Sequence, residues 1–286
     1  MQKMSDTVAG LVRSAARQLS LRGIATAALD ARLLLQSAAA MSHADIVAEP
    51  DLILPPDVVA RFWSLMEQRC AFEPVSRILG GREFYGRDFK ITPDVLDPRA
   101  DTETLIGVAT GLGTGKASFG ILDLGTGSGA IAVTLLAELP QAHGVATDIS
   151  EAALAIAKAN ALTHGVADRL RLVHANWFAG VDGKFDLIVS NPPYIPAGDI
   201  AGLGPEVRDY DPGRALAGGD DGLQAYRQIA AGASRLLAPR GHVLVETGAT
   251  QAEGVKDIFE ANGLALAGQF RDLGGHIRAL SFNLPS

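Results

Sequence analysis

Ile121-Leu-Asp123-Leu-Gly125-Thr126-Gly127-Ser128-Gly129, running on into Ala130-Ile-Ala-Val-Thr-Leu-Leu-Ala-Glu138, is the stretch on which the fold turns. A short apolar strand meets three glycines at alternate positions, and beyond them Ile131, Leu135 and Leu136 recur at helical spacing. Strand, turn and helix form a βα unit whose glycines let a ligand lie against bare backbone. The spacing is Gly-x-Gly-x-Gly and not the Gly-x-Gly-x-x-Gly of dinucleotide sites, so taken alone it leaves a nicotinamide enzyme open.

Outward from that unit, the next strand, His143-Gly-Val-Ala-Thr-Asp148-Ile149, ends in an acid nineteen residues beyond Gly129. A carboxylate there can accept both hydroxyls of a ribose. A third strand, Leu170-Arg-Leu-Val-His174, leads to Ala175-Asn176-Trp177. Asn176 can hydrogen-bond an adenine edge and Trp177 can wall the ring, although both equally suit an ordinary loop. The fourth run, Phe185-Asp-Leu-Ile-Val-Ser190, delivers Asn191-Pro192-Pro193-Tyr194. Asn191 Oδ1 and the Pro192 carbonyl can accept the two protons of a planar N–H₂ group, and the fixed φ of proline holds that carbonyl in one direction. Tyr194 can stack on a flat target. Pro-Pro by itself merely stops a strand. The weight lies in the co-occurrence: four successive strand ends carry a glycine turn, a ribose acid, an adenine wall and an amide clamp, at the edge where open α/β sheets bind ligands.

Composition narrows the classes. A length of 286 residues suggests about two domains, and 48% hydrophobic content fills a sizeable core. The net charge of −7 and pI near 5.4 argue against a broad phosphate-binding surface. Cys70 is the single cysteine, which excludes an internal disulfide, and its apolar helical setting reads as a structural thiol. The six histidines, His174 among them, stand apart without His-x-x-x-His or Cys-x-x-Cys pairing, so no metal site is expected. There is no uncharged apolar run of about 18 residues and no cleavable signal pattern, so a cytoplasmic protein is expected.

Along the chain, Leu11, Val12, Ala15, Ala16 and Leu19 keep a helical period that Gly23 can end. Helices over 28–40, after Ser42 and after Pro55-Pro56 complete a small helical domain, 1–73. Residues 74–97 read as an extended, hairpin-like connector broken by Gly80-Gly81 and Gly86, in which Phe84-Tyr85 can either close on the ligand or anchor the linker. From 98 to 286 strands and helices alternate, including a helix over 151–164 ended by Gly165. The 195–222 segment is long, rich in Gly, Pro and Asp, and of a length usually functional or mobile. A helix over 223–237, a strand over 242–246 and a helix over 251–262 follow. Gly274-Gly275 favours a tight hairpin, which makes the last strand antiparallel.

The 123–129 stretch together with 191–194 resembles the S-adenosylmethionine-dependent methyltransferases that modify planar nitrogens. Pro74-Val-Ser-Arg-Ile-Leu-Gly80, Arg82-Glu-Phe-Tyr-Gly86, Pro98-Arg-Ala-Asp-Thr-Glu103 and Arg271-Asp-Leu-Gly-Gly275 bring it closer, to the release factor glutamine methyltransferases, over residues from about 70 to the end. The resemblance implies an α/β fold, a Rossmann-like seven-stranded, mostly parallel sheet with an antiparallel last strand, beside an N-terminal all-helical domain that docks substrate. It implies S-adenosyl-L-methionine as cofactor, with S-adenosyl-L-homocysteine as product. The implied cofactor-binding residues are Gly125, Thr126, Gly127, Ser128, Gly129, Asp148, Asn176, Trp177 and Asn191. Substrate binding falls to Asn191, Pro192, Pro193 and Tyr194, with Asn191, Pro192 and Tyr194 as the catalytic members. The implied partner is the bacterial class 1 peptide chain release factor, methylated on the glutamine of its Gly-Gly-Gln loop.

The family usually carries Ile and Pro where this chain has Asp97 and Ala100, commonly an acid where it has Asn176, and often Ile where it has Thr247. Asn176 can still pair with adenine, whereas Ala100 loosens the loop before Thr102 and Glu103. An adenine-N6 nucleic-acid methyltransferase is the rival reading, since adenine presents the same planar N–H₂. It calls for a cationic surface and a target-reading region that an acidic chain with a short helical module does not offer. An idle cofactor-fold module is a second rival, against which the intact Gly125, Gly127, Gly129, Asp148 and Asn191 weigh.

Overall fold

The computed structural model describes residues 6–285. They form two compact units, one of residues up to Gly80 together with Pro205–Tyr210, the other of Gly81–Gly204 and the chain from Asp211 onward. The first residues of the expected helical domain, 1–5, lie outside the described residues. Among those described, no helix is long and apolar enough to cross a membrane.

The first unit is helical: α1 (Val8–Leu21), α2 (Ala27–Ala39), α3 (His43–Ala48), α4 (Pro56–Cys70) and α5 (Val75–Leu79). Val8, Leu11, Ala15 and Leu19 form the buried stripe of α1, and Thr7 caps it by accepting the Gly10 N–H at 3.2 Å. Ser42 and Asp45 form a reciprocal capping box on α3. These helices close on Leu34, Leu35, Phe62 and Met66. Inside the same unit the Arg69 guanidinium is 2% exposed. It donates to Asp30 at 2.7 Å, to Glu206 at 2.5 Å and to the Glu73 carbonyl at 3.2 Å. A buried guanidinium is tolerated only when its donors are paired. Glu206 supplies one of those pairs, so residues 205–210 leave the continuous 98–286 domain expected from sequence and join this unit. A second difference lies at 74–97: Val75–Leu79 is helical, entered through the fixed φ of Pro74 and ended by Gly80 at φ 70°, so the extended connector starts only at Gly81.

In the second unit, β1 (Gly81–Phe84) and β2 (Arg87–Lys90) pair antiparallel across a two-residue turn. Tyr85 and Gly86 both take left-handed φ, 51° and 71°, as a twisted hairpin turn requires. Phe84 and Phe89 meet edge-on with centroids 6.0 Å apart, both buried in the core. Phe84 is therefore the linker anchor and not a wall of the ligand site.

The main sheet comprises β3 (Phe119–Leu124), β4 (Ala142–Asp148), β5 (Leu170–His174), β6 (Phe185–Ser190), β7 (Leu237–Glu246), β8 (Ala265–Arg271) and β9 (Ile277–Asn283). Its order is β5-β4-β3-β6-β7-β9-β8. The first five strands run parallel, and β9 is antiparallel to both neighbours. Alternate residues of the central strands feed two cores. Ile121, Leu187 and Val189 pack with α6 (Glu103–Gly113), α7 (Ala130–Glu138) and α8 (Glu151–Thr163). The 195–222 segment contains α9 (Pro205–Arg208) and α10 (Gly213–Leu216), and α11 (Gln224–Leu236) and α12 (Ala252–Ala261) follow it. Leu122 and Ile188 pack with Tyr226 and Ile229 of α11 and with Val255 and Phe259 of α12. Helices on both faces explain why β3 is buried at every position.

The 195–222 segment is folded rather than slack. Ile195 N–H donates to the Leu216 carbonyl and Gly218 N–H to the Ile195 carbonyl, each at 2.9 Å. A Cβ on Gly222 would stand 2.4 Å from the Tyr194 carbonyl oxygen, so this glycine permits a close backbone approach just past the clamp.

Candidate active site

Because the strand order reverses between β3 and its two neighbours, the carboxyl ends of β3, β4, β5 and β6 open onto one crevice. It holds a cavity of about 320 Å³. Gly125, Thr126, Gly127, Ser128, Asp148, Asn176, Trp177, Asn191 and Pro193, all singled out from sequence, line it. Gly129, Pro192 and Tyr194 are not on the lining.

The turn after β3 is built by backbone. Gly125, Gly127 and Gly129 have φ of 70°, 56° and 80°. The Gly125 and Thr126 N–H groups both donate to the Thr147 carbonyl at 2.9 Å, hooking the turn onto β4. Gly129 starts α7, where a Cβ would come 3.1 Å from Ala157 Cβ, so its task is close packing of α7 on α8. Asn160 of α8 donates to the Ser128 carbonyl at 2.8 Å and exchanges hydrogen bonds with Lys90 of β2, which locks the turn from outside.

Beneath the turn, Asp123 Oδ2 accepts the Thr126 hydroxyl at 2.6 Å and the Ala132 N–H at 3.2 Å. Full burial, reinforced by the charge of Asp148, pushes the Asp123 carboxyl up to about 7 despite those bonds. Asp148 accepts the Gly127 N–H on one oxygen at 2.9 Å and the Ser150 N–H on the other at 2.8 Å. Each oxygen keeps a further lone pair for a ribose hydroxyl. Ile149, 59% exposed, lines the cavity next to it. Val95 and Leu96 line the cavity as well. A backbone cradle without Cβ atoms, an acid with spare acceptor capacity and apolar walls fit an adenosyl group carrying a short chain. Sequence reading did not single out Ile149, although an apolar residue directly after a ribose acid was a usable signal.

Trp177 holds a left-handed φ of 51°, and its indole N–H donates to Gln228. A Cβ on Gly125 would lie 3.7 Å from its ring, so glycine and indole share one edge of the crevice. Asn176 beside it is exposed.

The segment after β6 is built by side chains. Ser190 Oγ donates to the Leu124 carbonyl at 2.7 Å and ties the end of β6 to β3. Asn191 Nδ2 donates to Thr102 Oγ1 at 3.1 Å, and Thr102 Oγ1 donates to Glu246 Oε2 at 2.6 Å. The other Glu246 oxygen accepts the Tyr194 hydroxyl at 3.3 Å. Tyr194 therefore does not offer its face to the cavity as the stacking expectation had it. Its ring packs on the α11–α12 core with its hydroxyl turned down to the acid. Burial and the neighbouring Glu246 hold the Tyr194 phenol above its usual range. Burial pushes the Glu246 carboxyl up to about 7, against the hydrogen bond from Thr102 and the charge of Arg278. Ala100 does not undo this arrangement: Ala100–Thr102 forms a single 3₁₀ turn that buries Thr102, while Glu103 accepts the Tyr85 N–H at 3.1 Å. Asp97, in place of the family's apolar residue, is buried beside Arg82 at 3.5 Å.

A doubly wound sheet with its last strand inserted antiparallel, a glycine cradle after the first strand of the sheet and an acid after the second define an S-adenosylmethionine-dependent methyltransferase. The fold alone is shared with a ribosomal protein L11 methylase from Lactobacillus delbrueckii subsp. bulgaricus, at TM-score 0.51 and 20% identity over 72% of this chain and 89% of that one. Residues 110–201 match the Methyltransferase small domain and residues 10–80 the PrmC N-terminal domain. The release factor glutamine methyltransferase of Cereibacter sphaeroides is 49% identical over 278 residues, covering 97% of this chain and 99% of that protein. That of Agrobacterium fabrum is 44% identical over 280 residues, covering 96% and 97%. The chain belongs to the release factor glutamine methyltransferase family.

Proposed function

We propose that this protein methylates the side-chain amide nitrogen of the glutamine in the Gly-Gly-Gln motif of class 1 peptide chain release factors, using S-adenosyl-L-methionine, and that Asn191 is the residue on which transfer turns. Family membership over nearly the whole chain supports the reaction. One observation carries the role of Asn191: it lines the cavity beside the glycine cradle with its Nδ2 committed to Thr102, which leaves Oδ1 to accept a hydrogen bond.

The turn from Gly125 to Gly129 supports the cofactor, Asp148 takes the ribose hydroxyls, and Asn176 with Trp177 bounds the adenine. When bound, S-adenosylmethionine supplies a methyl group already activated on a positively charged sulfur. What the protein adds is placement of a poor nucleophile, because an amide nitrogen delocalises its lone pair into the carbonyl. Asn191 Oδ1 and the Pro192 carbonyl would accept the two N–H protons, which would orient the amide so that its nitrogen lone pair faces the activated methyl group. The same two oxygens stabilise the positive charge that grows on nitrogen. The methylated amide, acidified by that charge, then gives up one N–H proton to water, so no strong base is needed.

The helical unit docks the release factor, and contacts remote from the glutamine offset the ordering of its loop. A free glutamine lacks them. The net charge of −7 is matched to a protein partner and not to a nucleic acid, and a cytoplasmic location follows from that partner. The test is mass spectrometry of a purified release factor after incubation with enzyme and cofactor. One added methyl on the Gly-Gly-Gln glutamine is expected, with little product from free glutamine. Methyl incorporation into DNA or RNA with an unmodified release factor would sink this reading.

A further inference from the structure

An asparagine carboxamide is nearly the same shape either way round, yet its two ends do opposite chemistry. Turned by 180°, Asn191 would set an N–H₂ against the substrate N–H₂, donor against donor. Resting on the role of Asn191 given above, we propose that Thr102 and Glu246 are positioning residues that decide which end of the Asn191 carboxamide meets the substrate, through a hydrogen-bond chain that runs in one direction only.

The direction follows from counting protons. Glu246 as a carboxylate only accepts, and it is 1% exposed. It takes the Thr102 hydroxyl proton on Oε2 at 2.6 Å, a charge-assisted bond, and the Tyr194 hydroxyl on Oε1 at 3.3 Å. Thr102 has a single proton and has given it away. Its oxygen, 3.1 Å from Asn191, is left to accept, and only the Nδ2 end of the carboxamide can donate to it. Thr102 lines the cavity yet is only 4% exposed, so water has little access to supply a replacement proton or acceptor. Burial works against the carboxylate, and it is the Thr102 and Tyr194 hydroxyls together with the charge of Arg278 that favour the accepting form. Arg278 of β9 faces the acid and pairs with Asp101 and Asp272, each at 3.0 Å, and the Tyr226 hydroxyl donates to the Glu246 carbonyl at 2.9 Å. Thr102 and Glu246 stand 144 residues apart in the chain, and Asn191 lies between them in sequence.

The experiment is a double-mutant cycle read in single-turnover methyl transfer to a release factor, with S-adenosylmethionine affinity measured by calorimetry in parallel. Thr102→Val keeps the side-chain volume and removes the hydroxyl. It is expected to slow transfer about 30-fold, in the range for losing one oriented donor or acceptor, while cofactor Kd stays within about threefold. Thr102→Ser, which keeps the hydroxyl, is expected to restore most of the rate. In an Asn191→Ala background Thr102→Val is expected to cost less than about twofold, since nothing remains to be oriented. Should Thr102→Val not fold, Glu246→Gln replaces it: its amide can lie either way, so transfer is expected to slow at least about fivefold, again only when Asn191 is present. A Thr102→Val enzyme within about twofold of native, or the same loss with and without Asn191, would overturn the proposal; so would native transfer by Glu246→Gln, where that variant stands in. Native turnover by Asn191→Ala alone would remove the clamp itself, an outcome distinct from failure of the orienting chain.

Discussion

The turn after β3 and the segment after β6 stand at the ends of adjacent strands and meet in one cavity, but they are made by opposite means. In the first, glycines at positive φ expose backbone, and side chains such as Asp123 and Asn160 only brace it from behind. In the second, the working groups are side chains drawn from three places: Thr102 before α6, Asn191 and Tyr194 after β6, and Glu246 at the end of β7. A site made of backbone is local and tolerates drift around it. A site made of a side-chain network is dispersed, and its function depends on the weakest orientation in the chain. The two should therefore fail differently, the turn through affinity and packing, the segment after β6 through rate.

The largest effect should come from Asn191→Ala. Losing the acceptor on the reacting nitrogen is expected to slow methyl transfer at least about 100-fold, roughly 3 kcal/mol of barrier, with cofactor Kd changed only a few-fold. Turnover surviving within about tenfold would erase the distinction between the two regions, because the clamp would then be doing no more than the cradle.

Next comes Glu246, where the contrast can be read in stability. Its folded carboxyl titrates near 7 because of burial, whereas the unfolded chain releases the same proton in the ordinary carboxylate range. Below both values the side chain is neutral in both states and nothing is lost. As pH rises between them the unfolded chain gives up its proton first, so the native state binds more protons and stability falls, until the deficit levels off above about 7. Relative to Glu246→Gln, the native protein should lose on the order of 3 kcal/mol between pH 4.5 and 7.5 in urea titrations. Asp123 is likewise pushed up to about 7, but it is present in both proteins and cancels. A pH-independent difference would show that the acid is not held against its own ionisation.

On the cradle side, Gly129→Ala combines a φ of 80° with a methyl 3.1 Å from Ala157 Cβ. Both together should cost about 1–3 kcal/mol of stability and weaken cofactor binding about tenfold, with kcat at saturating cofactor little changed. A fall in kcat with Kd unaltered would mean that this glycine serves the chemistry and not the packing.

The same contrast explains what could be read without coordinates. The glycine turn, Asp148 and Asn191 announce themselves because backbone exposure and strand-end position leave local patterns, and the Gly274-Gly275 turn told the direction of β9. Helix α6 escaped because Gly107, Gly111 and Gly113 dilute its period, although Leu105, Ile106 and Ala109 are fully buried. The position of Tyr194 in the sequence shows only that it follows the clamp, which suits stacking, and not that a carboxylate 52 residues on claims its hydroxyl. Likewise nothing near Glu206 signals that it answers an arginine 137 residues earlier. Pairings of that separation are decided by tertiary packing, and a single sequence carries no trace of them.

The smallest effect should come from Asn176, where the family's usual acid has been replaced. The side chain is exposed at the rim of the cavity, so any hydrogen bond it makes to adenine competes with water and is worth about 0.5–1.5 kcal/mol. Asn176→Asp keeps an acceptor for the adenine amino group and gives up only the donor. Its added charge lies in solvent, where screening blunts its effect on the cofactor. Cofactor Kd should therefore move less than about fivefold in calorimetry, and kcat not at all. A change above about thirtyfold would place Asn176 inside a desolvated network like the one around Glu246. The line between a backbone-built cofactor half and a side-chain-built substrate half would then have to be redrawn through the adenine.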